Sequence, residues 1–230
     1  MTYPLLADEG SVVIERLGLL NQHIVEQQAH FGKPVEDKHH RLPYPGTIVV
    51  DEHGIVTDKW FEESHQVRPS AVSLLADVAG AAAILPVRSD ENEAHGIRVA
   101  AWLGTDHYRP LQVQRLQVAV DIPEELHVYG DPVPDGFAPL HFELMPREVV
   151  EAHHPVRIPD PRPFEMVGFE ERFFVHEGRL DLVLPFVIRP ETGEVEVELA
   201  VGFQACSHTV CHPPTTLVLR LPLDLAKDNV

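Results

Sequence analysis

Short runs of alternating apolar and polar residues dominate the chain from residue 96 onward. Alternation with a period of two is typical of β-strands that bury one face. The runs lie at residues 98–103, 111–120, 126–129, 140–144, 169–175, 180–188, 195–203 and 216–221. Turn-forming residues such as Glu191-Thr192-Gly193-Glu194 separate them. About eight short strands at this spacing predict a β-sandwich.

Residues 1–86 mix helical and strand patterns instead. We predict a short strand at 4–8, an amphipathic helix at 12–20 with Ser11 as its N-cap, and a polar segment at 21–41 that contains the helix end and a loop. The β-branched run 45–51 predicts a buried strand that turns at 51–54 into a second strand ending at 61. Arg68-Pro69-Ser70 then predicts the start of a helix that ends near residue 85.

The segment 87–95 is polar and breaks both periodicities, so we predict a linker there. The predicted organisation is an α/β domain over 1–86, a linker over 87–95 and an all-β domain over 96–230.

Charge and hydropathy exclude several classes of partner. The chain has 18 Lys and Arg against 36 Asp and Glu, a formal net charge of −18, which disfavours nucleic acids and anionic membranes. No stretch approaches the roughly 18 apolar residues of a membrane span, and residues 1–4 lack the features of a signal peptide. We therefore expect a soluble protein, cytoplasmic by default, or periplasmic if the natural N-terminus lies upstream.

The two cysteines, Cys206 and Cys211, are the residues most clearly suited to chemistry. A short turn can bring two cysteines at this spacing within disulfide distance. His208 and His212 flank the pair, and a nearby imidazolium favours a thiolate over a thiol. The pattern alone leaves two interpretations, a redox-active dithiol and a structural disulfide that fixes a hairpin.

Metal binding is a weaker hypothesis, although the chain has 15 histidines. Adjacent pairs such as His39-His40 and His153-His154 seldom converge on one ion. Cys206, His208, Cys211 and His212 could form a zinc set, but their spacing does not match the usual zinc motifs. We predict no metal and no cofactor.

The sequence around the cysteines resembles that of the N-terminal domain of the thiol:disulfide interchange protein DsbD. The resemblance rests on Phe203-Gln204-Ala205-Cys206, on Cys211 followed one residue later by Pro213-Pro214, and on the stretch 122–129 with its His-x-Tyr strand. It implies an immunoglobulin-like sandwich in which Cys206 and Cys211 exchange electrons with a thiol or disulfide partner protein. Tyr129, Phe137 and Phe203 would either shield the pair or pack in the core, and we favour the core.

The first part of the chain resembles the C-terminal half of a thioredoxin-fold redoxin of the AhpC/TSA type. The resemblance rests on residues 5–11, on 17–21 and on 43–56, where Pro45 matches the cis-proline beside the redoxin thiol. The segment with the redoxin cysteine would lie before residue 1, and residues 1–205 contain no cysteine. We expect an incomplete thioredoxin-like fold without peroxidase activity.

These patterns support two main functions. The first is a thiol-disulfide redox protein whose partner could be an intact redoxin domain, with either cysteine as the attacking one. The alternative is a non-catalytic interaction module with a permanent disulfide.

Overall fold

The computed structural model describes residues 8–30, 34–37, 40–62, 67–70, 73–74, 84–165, 171–189, 193–207 and 209–227. The chain divides into two compact units, Met1–Arg68 and Pro69–Val230, and each is described by itself. Several predictions fall outside the described residues: the side chain of His208, most of the strand at 4–8, most of the helix at 71–85, and the beginning of the strand at 169–175.

The first unit contains short helices and a β-hairpin. Its elements are a 3₁₀ turn (Glu9–Ser11), α1 (Val12–Arg16), α2 (Ile24–His30), β1 (Gly46–Val50) and β2 (Val56–Phe61). β1 and β2 pair antiparallel, which confirms the predicted hairpin. The Asp51 carboxylate accepts hydrogen bonds from the backbone N–H groups of His53 and Ile55, so its side chain closes the turn.

Three predictions about this unit are wrong. Ser11 does not cap α1, because its backbone is left-handed; Asp8 accepts the N–H groups of Val13 and Ile14 instead, and these hydrogen bonds lower the pKa of Asp8. The segment 21–41 contains a separate helix, α2, and not the end of the preceding helix, because α1 already ends at Arg16. β1 is not buried: Ile48 is 49% exposed and Val50 is 55% exposed, because a two-stranded sheet cannot cover both of its faces.

The second unit is built almost entirely from antiparallel strands. Following β3 (Arg68–Pro69) at the unit boundary, they are β4 (Arg88–Ala94), β5 (Ile97–Leu103), β6 (His107–Tyr108), β7 (Gln112–Ile122), β8 (His127–Tyr129), β9 (His141–Met145), β10 (Val150–Ala152), β11 (Arg162–Phe164), β12 (Phe173–His176), β13 (Gly178–Ile188), β14 (Val195–Phe203), β15 (Ala205–Cys206) and β16 (Thr215–Leu225). One sheet contains the order β10-β13-β7-β5-β4, and a second has the order β6-β16-β14-β9.

These two sheets share one apolar core. Alternate residues of β5 (Ile97, Val99, Ala101 and Leu103) are buried against alternate residues of β14 and β16, such as Leu199 and Leu219. The second unit is therefore a β-sandwich, consistent with an immunoglobulin-like fold. A third sheet, in the order β11-β12-β8-β15, places the cysteine pair beside the sandwich.

The predicted linker is wrong for residues 88–94. They form β4, an edge strand that pairs with β5 along its whole length. Its charged side chains are compatible with an edge, where they discourage pairing with other chains. Asp90 also accepts the backbone N–H of Arg220 on β16, so this polar strand contributes to the sandwich.

Two further observations concern the expectations from sequence. Among the described residues, cis peptide bonds precede Pro132 and Pro146, and the bond before Pro45 is not cis. No helix within the described ranges is long and apolar enough to cross a membrane.

Candidate functional site

A four-residue turn joins the two cysteines. Within it, Ser207 donates its backbone N–H to the Val210 carbonyl at 2.7 Å, and just outside it His212 donates its N–H to the Ala205 carbonyl at 2.9 Å. Cys206 and Cys211 therefore face each other as an antiparallel bridge with their Cα atoms 4.1 Å apart. Their sulfurs are joined in a disulfide.

Polar side chains hold this turn in place. The Ser207 hydroxyl oxygen accepts the backbone N–H groups of Val210 at 3.1 Å and Thr209 at 3.3 Å. Gln204, which is buried, donates to the His212 carbonyl at 3.1 Å and accepts the Ala138 N–H at 3.2 Å. The segment after the cysteine pair is thus tied to the loop that carries Phe137.

The two cysteines differ in exposure. Cys206 is fully buried, at 0% exposure, because it lies on β15 between β8 and the turn. Cys211 lies on the outgoing side of the turn and is exposed. The disulfide is therefore more open to solvent on the side of Cys211.

The hydroxyl of Tyr129 lies beside both sulfurs. Its hydroxyl oxygen lies 3.3 Å from Sγ of Cys206 and 3.5 Å from Sγ of Cys211. A disulfide sulfur carries no hydrogen, so the tyrosine O–H is the donor. Burial raises the pKa of Tyr129, which keeps this donor protonated at neutral pH.

An aromatic cluster surrounds Tyr129. Its ring centroid lies 5.1 Å from that of Phe137 and 5.6 Å from that of Phe173, and the two phenylalanine rings are 5.0 Å apart. Tyr129 and Phe137 pack beside Cys206, whereas Phe203 belongs to the sandwich core. Sequence reasoning missed Phe173, because nothing in a strand pattern shows which aromatic residue turns toward the cysteines.

Of the other residues singled out from the sequence, His208 lies outside the described residues, and His212 and Pro45 are described. The His212 ring stacks on that of His95, with centroids 4.4 Å apart. Pro45 lies in the first unit, directly before β1. Among the described residues, no group of three or more His, Cys, Asp or Glu side chains is arranged to hold a metal ion.

Solved structures similar to this chain include three at low identity. The N-terminal periplasmic domain of ScsB from Proteus mirabilis is 12% identical, with a TM-score of 0.43, over 60% of this chain and 51% of that one. The DsbD N-terminal domain from Neisseria meningitidis in the reduced form is 15% identical, with a TM-score of 0.34, over 56% of this chain and 84% of that one. A chain in the complex between the DsbD N-terminal and PilB N-terminal domains of the same organism is 15% identical, with a TM-score of 0.32. That match covers 46% of this chain and 73% of that one.

This chain spans about half the length of the ScsB domain that it matches. A search of curated proteins found no match. The family model that does match is that of the thiol:disulfide interchange protein DsbD, N-terminal, over residues 102–223. This range includes Tyr129 and both cysteines, and it covers more than half of the chain. The chain therefore belongs to the family of DsbD N-terminal thiol-disulfide exchange domains.

Proposed function

We propose that the second unit exchanges electrons with a thiol or disulfide partner protein through Cys206 and Cys211, and that the partner attacks Cys211. The observation that supports this most directly is the contrast between the exposed Cys211 and the fully buried Cys206. Thiol-disulfide exchange needs access to the attacked sulfur in line with the bond that breaks.

The exchange has two steps. A partner thiolate attacks Sγ of Cys211, a mixed disulfide forms, and Cys206 departs as a thiolate that can accept a hydrogen bond from the Tyr129 hydroxyl, 3.3 Å from its sulfur. A second partner thiolate then attacks the mixed disulfide at the partner's own sulfur, which releases Cys211 as a thiolate. The partner leaves oxidised and the pair is reduced; the reverse sequence oxidises the pair.

The resemblance of the first unit to a redoxin extends this proposal. The support is the antiparallel hairpin β1–β2, which follows helical segments along the chain. Residues 1–205 contain no cysteine, so any thiol chemistry of this chain belongs to the second unit. We expect the purified chain to lack peroxidase activity, and turnover of hydrogen peroxide would contradict this assignment.

Single-cysteine variants test which sulfur reacts with a partner. In Cys206→Ser only the exposed Cys211 remains, and in Cys211→Ser only the buried Cys206 remains. We expect Cys211 to form a mixed disulfide with oxidised glutathione at least about tenfold faster than Cys206, because access limits the reaction. Mass spectrometry of samples quenched at intervals measures both rates.

A faster reaction at Cys206 would assign the attack to that residue instead. If neither thiol reacts while the chain is folded, the disulfide is a permanent clip and the unit is an interaction module. Circular dichroism of each variant provides the folding control.

A further inference from the structure

We propose that His127 is the acid–base group that exchanges a proton with Cys206 during this reaction. This inference rests on the proposed function and adds a residue to it.

Strand register places His127 beside Cys206. β8 and β15 pair antiparallel, with His127 directly opposite Cys206 and Val128 opposite Ala205. Directly opposed residues project from the same face of a sheet, with Cβ atoms about 4.5–5.5 Å apart. The imidazole and the buried sulfur therefore start from adjacent points on one face.

The neighbours of His127 confirm which face this is. Tyr129 lies two residues further along β8, on the same face, and its hydroxyl contacts Sγ of Cys206 at 3.3 Å. Val128 and Ala205 lie on the other face and belong to the sandwich core. His127 is thus on the side of the sheet that carries the redox pair.

The imidazole packs against aromatic rings and is nearly closed to water. His127 is 3% exposed, and its ring centroid lies 4.5 Å from that of Phe164 and, in an edge-to-face arrangement, 5.7 Å from that of Tyr129. A titratable side chain held at such a position beside a reactive sulfur can move protons where water has little access.

The other ionisable groups on this face are few among the described residues. Register and ring contacts bring Cys206 on β15 and Tyr129 on β8 toward His127. β12 pairs with β8 and ends at His176, and Glu177 comes directly after it in the chain. Glu177 forms an ion pair with Arg162 of β11. Glu177 is therefore the competing acid–base group that an experiment must distinguish.

Burial of Cys206 creates the need for such a group. When a partner thiolate attacks Cys211, the bond between the two sulfurs breaks and its electron pair leaves on Cys206 as a buried thiolate. A buried anion without a partner is costly, and protonation removes the charge. The imidazolium of His127 supplies that proton and regains one from water; in the reverse direction, neutral His127 takes the proton from the Cys206 thiol as it attacks the mixed disulfide.

The test is the pH dependence of disulfide reduction by dithiothreitol, with rates divided by the concentration of dithiothreitol thiolate. We expect the wild-type profile from pH 5 to 9 to contain an ionisation that belongs to His127. In His127→Gln this ionisation should vanish, and the rate near pH 6 should fall at least about tenfold.

His176→Gln is the matched control. His176 is a buried histidine of the same sheet, but it pairs with Val128 and so lies on the opposite face. We expect His176→Gln and Glu177→Gln to keep the wild-type profile. An unchanged profile in His127→Gln, or loss of the ionisation in Glu177→Gln, would overturn the proposal.

A measurement without substitutions covers the case in which His127→Gln does not fold. Nuclear magnetic resonance can follow the His127 ring protons against pH in the oxidised and reduced chains. We expect the pKa of His127 to differ between the two redox states, and identical titration curves would overturn the proposal. If dithiothreitol cannot reduce the folded wild-type chain at all, the proposed function fails and this inference fails with it; a reducible pair with an unchanged His127→Gln profile removes the inference alone.

Discussion

The two sulfurs of the Cys206–Cys211 disulfide have different surroundings, and Tyr129 lies between them. Its hydroxyl oxygen lies 3.3 Å from Sγ of Cys206, the buried cysteine, and 3.5 Å from Sγ of Cys211, the exposed cysteine. At neutral pH the phenol remains protonated, so it can stabilise a thiolate on either cysteine in turn.

Replacing Tyr129 by Phe should therefore make the Cys206 thiolate less stable while keeping the aromatic packing. A hydrogen bond to a charged group is worth about 1.5–3 kcal/mol, so the pKa of Cys206 should rise by about one to two units. Thiolate absorbance against pH, measured in Cys211→Ser with and without Tyr129→Phe, gives this shift. Tyr108→Phe is the control, because the buried hydroxyl of Tyr108 donates to the Gly193 carbonyl and not to a cysteine. An equal effect of both substitutions on the pKa of Cys206 would contradict the role of Tyr129.

Residue types and spacing indicated the cysteine pair, but not its environment. The Phe-Gln-x-Cys motif indicated Cys206 and Cys211 as the reactive pair and also indicated the family. The contact between Tyr129 and Cys206 spans 77 positions along the chain and depends on the pairing of β8 with β15. The difference in exposure between the two cysteines depends on the same pairing, and no local pattern encodes it.

At the scale of elements, the turn between the cysteines controls how close the two thiols remain after reduction. The Ser207 hydroxyl accepts two backbone N–H groups of this turn, those of Thr209 and Val210. An ordered turn keeps the thiols adjacent and so favours the disulfide.

Ser207→Ala should make the pair easier to reduce. Loss of about 1 kcal/mol of turn stability corresponds to a potential about 20 mV less negative. Equilibration with dithiothreitol buffers, read by alkylation and mass, measures this change. Thr105→Ala removes a similar acceptor from a turn at His107, outside the cysteine turn, and should leave the potential unchanged; a potential in Ser207→Ala equal to that of the wild type would rule out a role for the turn.

Strands with strict alternation were predictable, and those without it were not. β5 alternates because one of its faces lies on the core, and the sequence shows this directly. β4 is a polar edge strand, so its composition resembled that of a linker. It is held in place by its hydrogen bonds to β5 and by contacts such as that of Asp90 with Arg220. The helix α2 was missed for a related reason, because its polar residues gave no apolar period to detect.

At the scale of the whole molecule, buried histidines link stability to pH. Burial lowers the pKa of His176 below its ordinary value, while the unfolded chain protonates this residue near about 6.5. Below that pH the unfolded state binds a proton that the folded state does not, so the free energy of unfolding falls. The stabilising contribution is present above the unfolded pKa and is lost as the pH decreases.

We expect His176→Gln to reduce the loss of stability between pH 7 and pH 5. Urea unfolding at several pH values gives the free energies for both chains. His53→Gln serves as the control, because the His53 side chain is 76% exposed and should not contribute. Parallel curves for the wild type and His176→Gln would contradict the assignment.

The central claim, that the Cys206–Cys211 pair exchanges electrons in the folded domain, is tested most directly by its reduction potential. We would equilibrate the chain in glutathione or dithiothreitol buffers, count free thiols by alkylation and mass, and follow the fold by circular dichroism. The account predicts a midpoint between about −120 and −270 mV, with the sandwich folded in both redox states. A midpoint below about −300 mV, or reduction only when the sandwich unfolds, would contradict it and make the disulfide a structural clip.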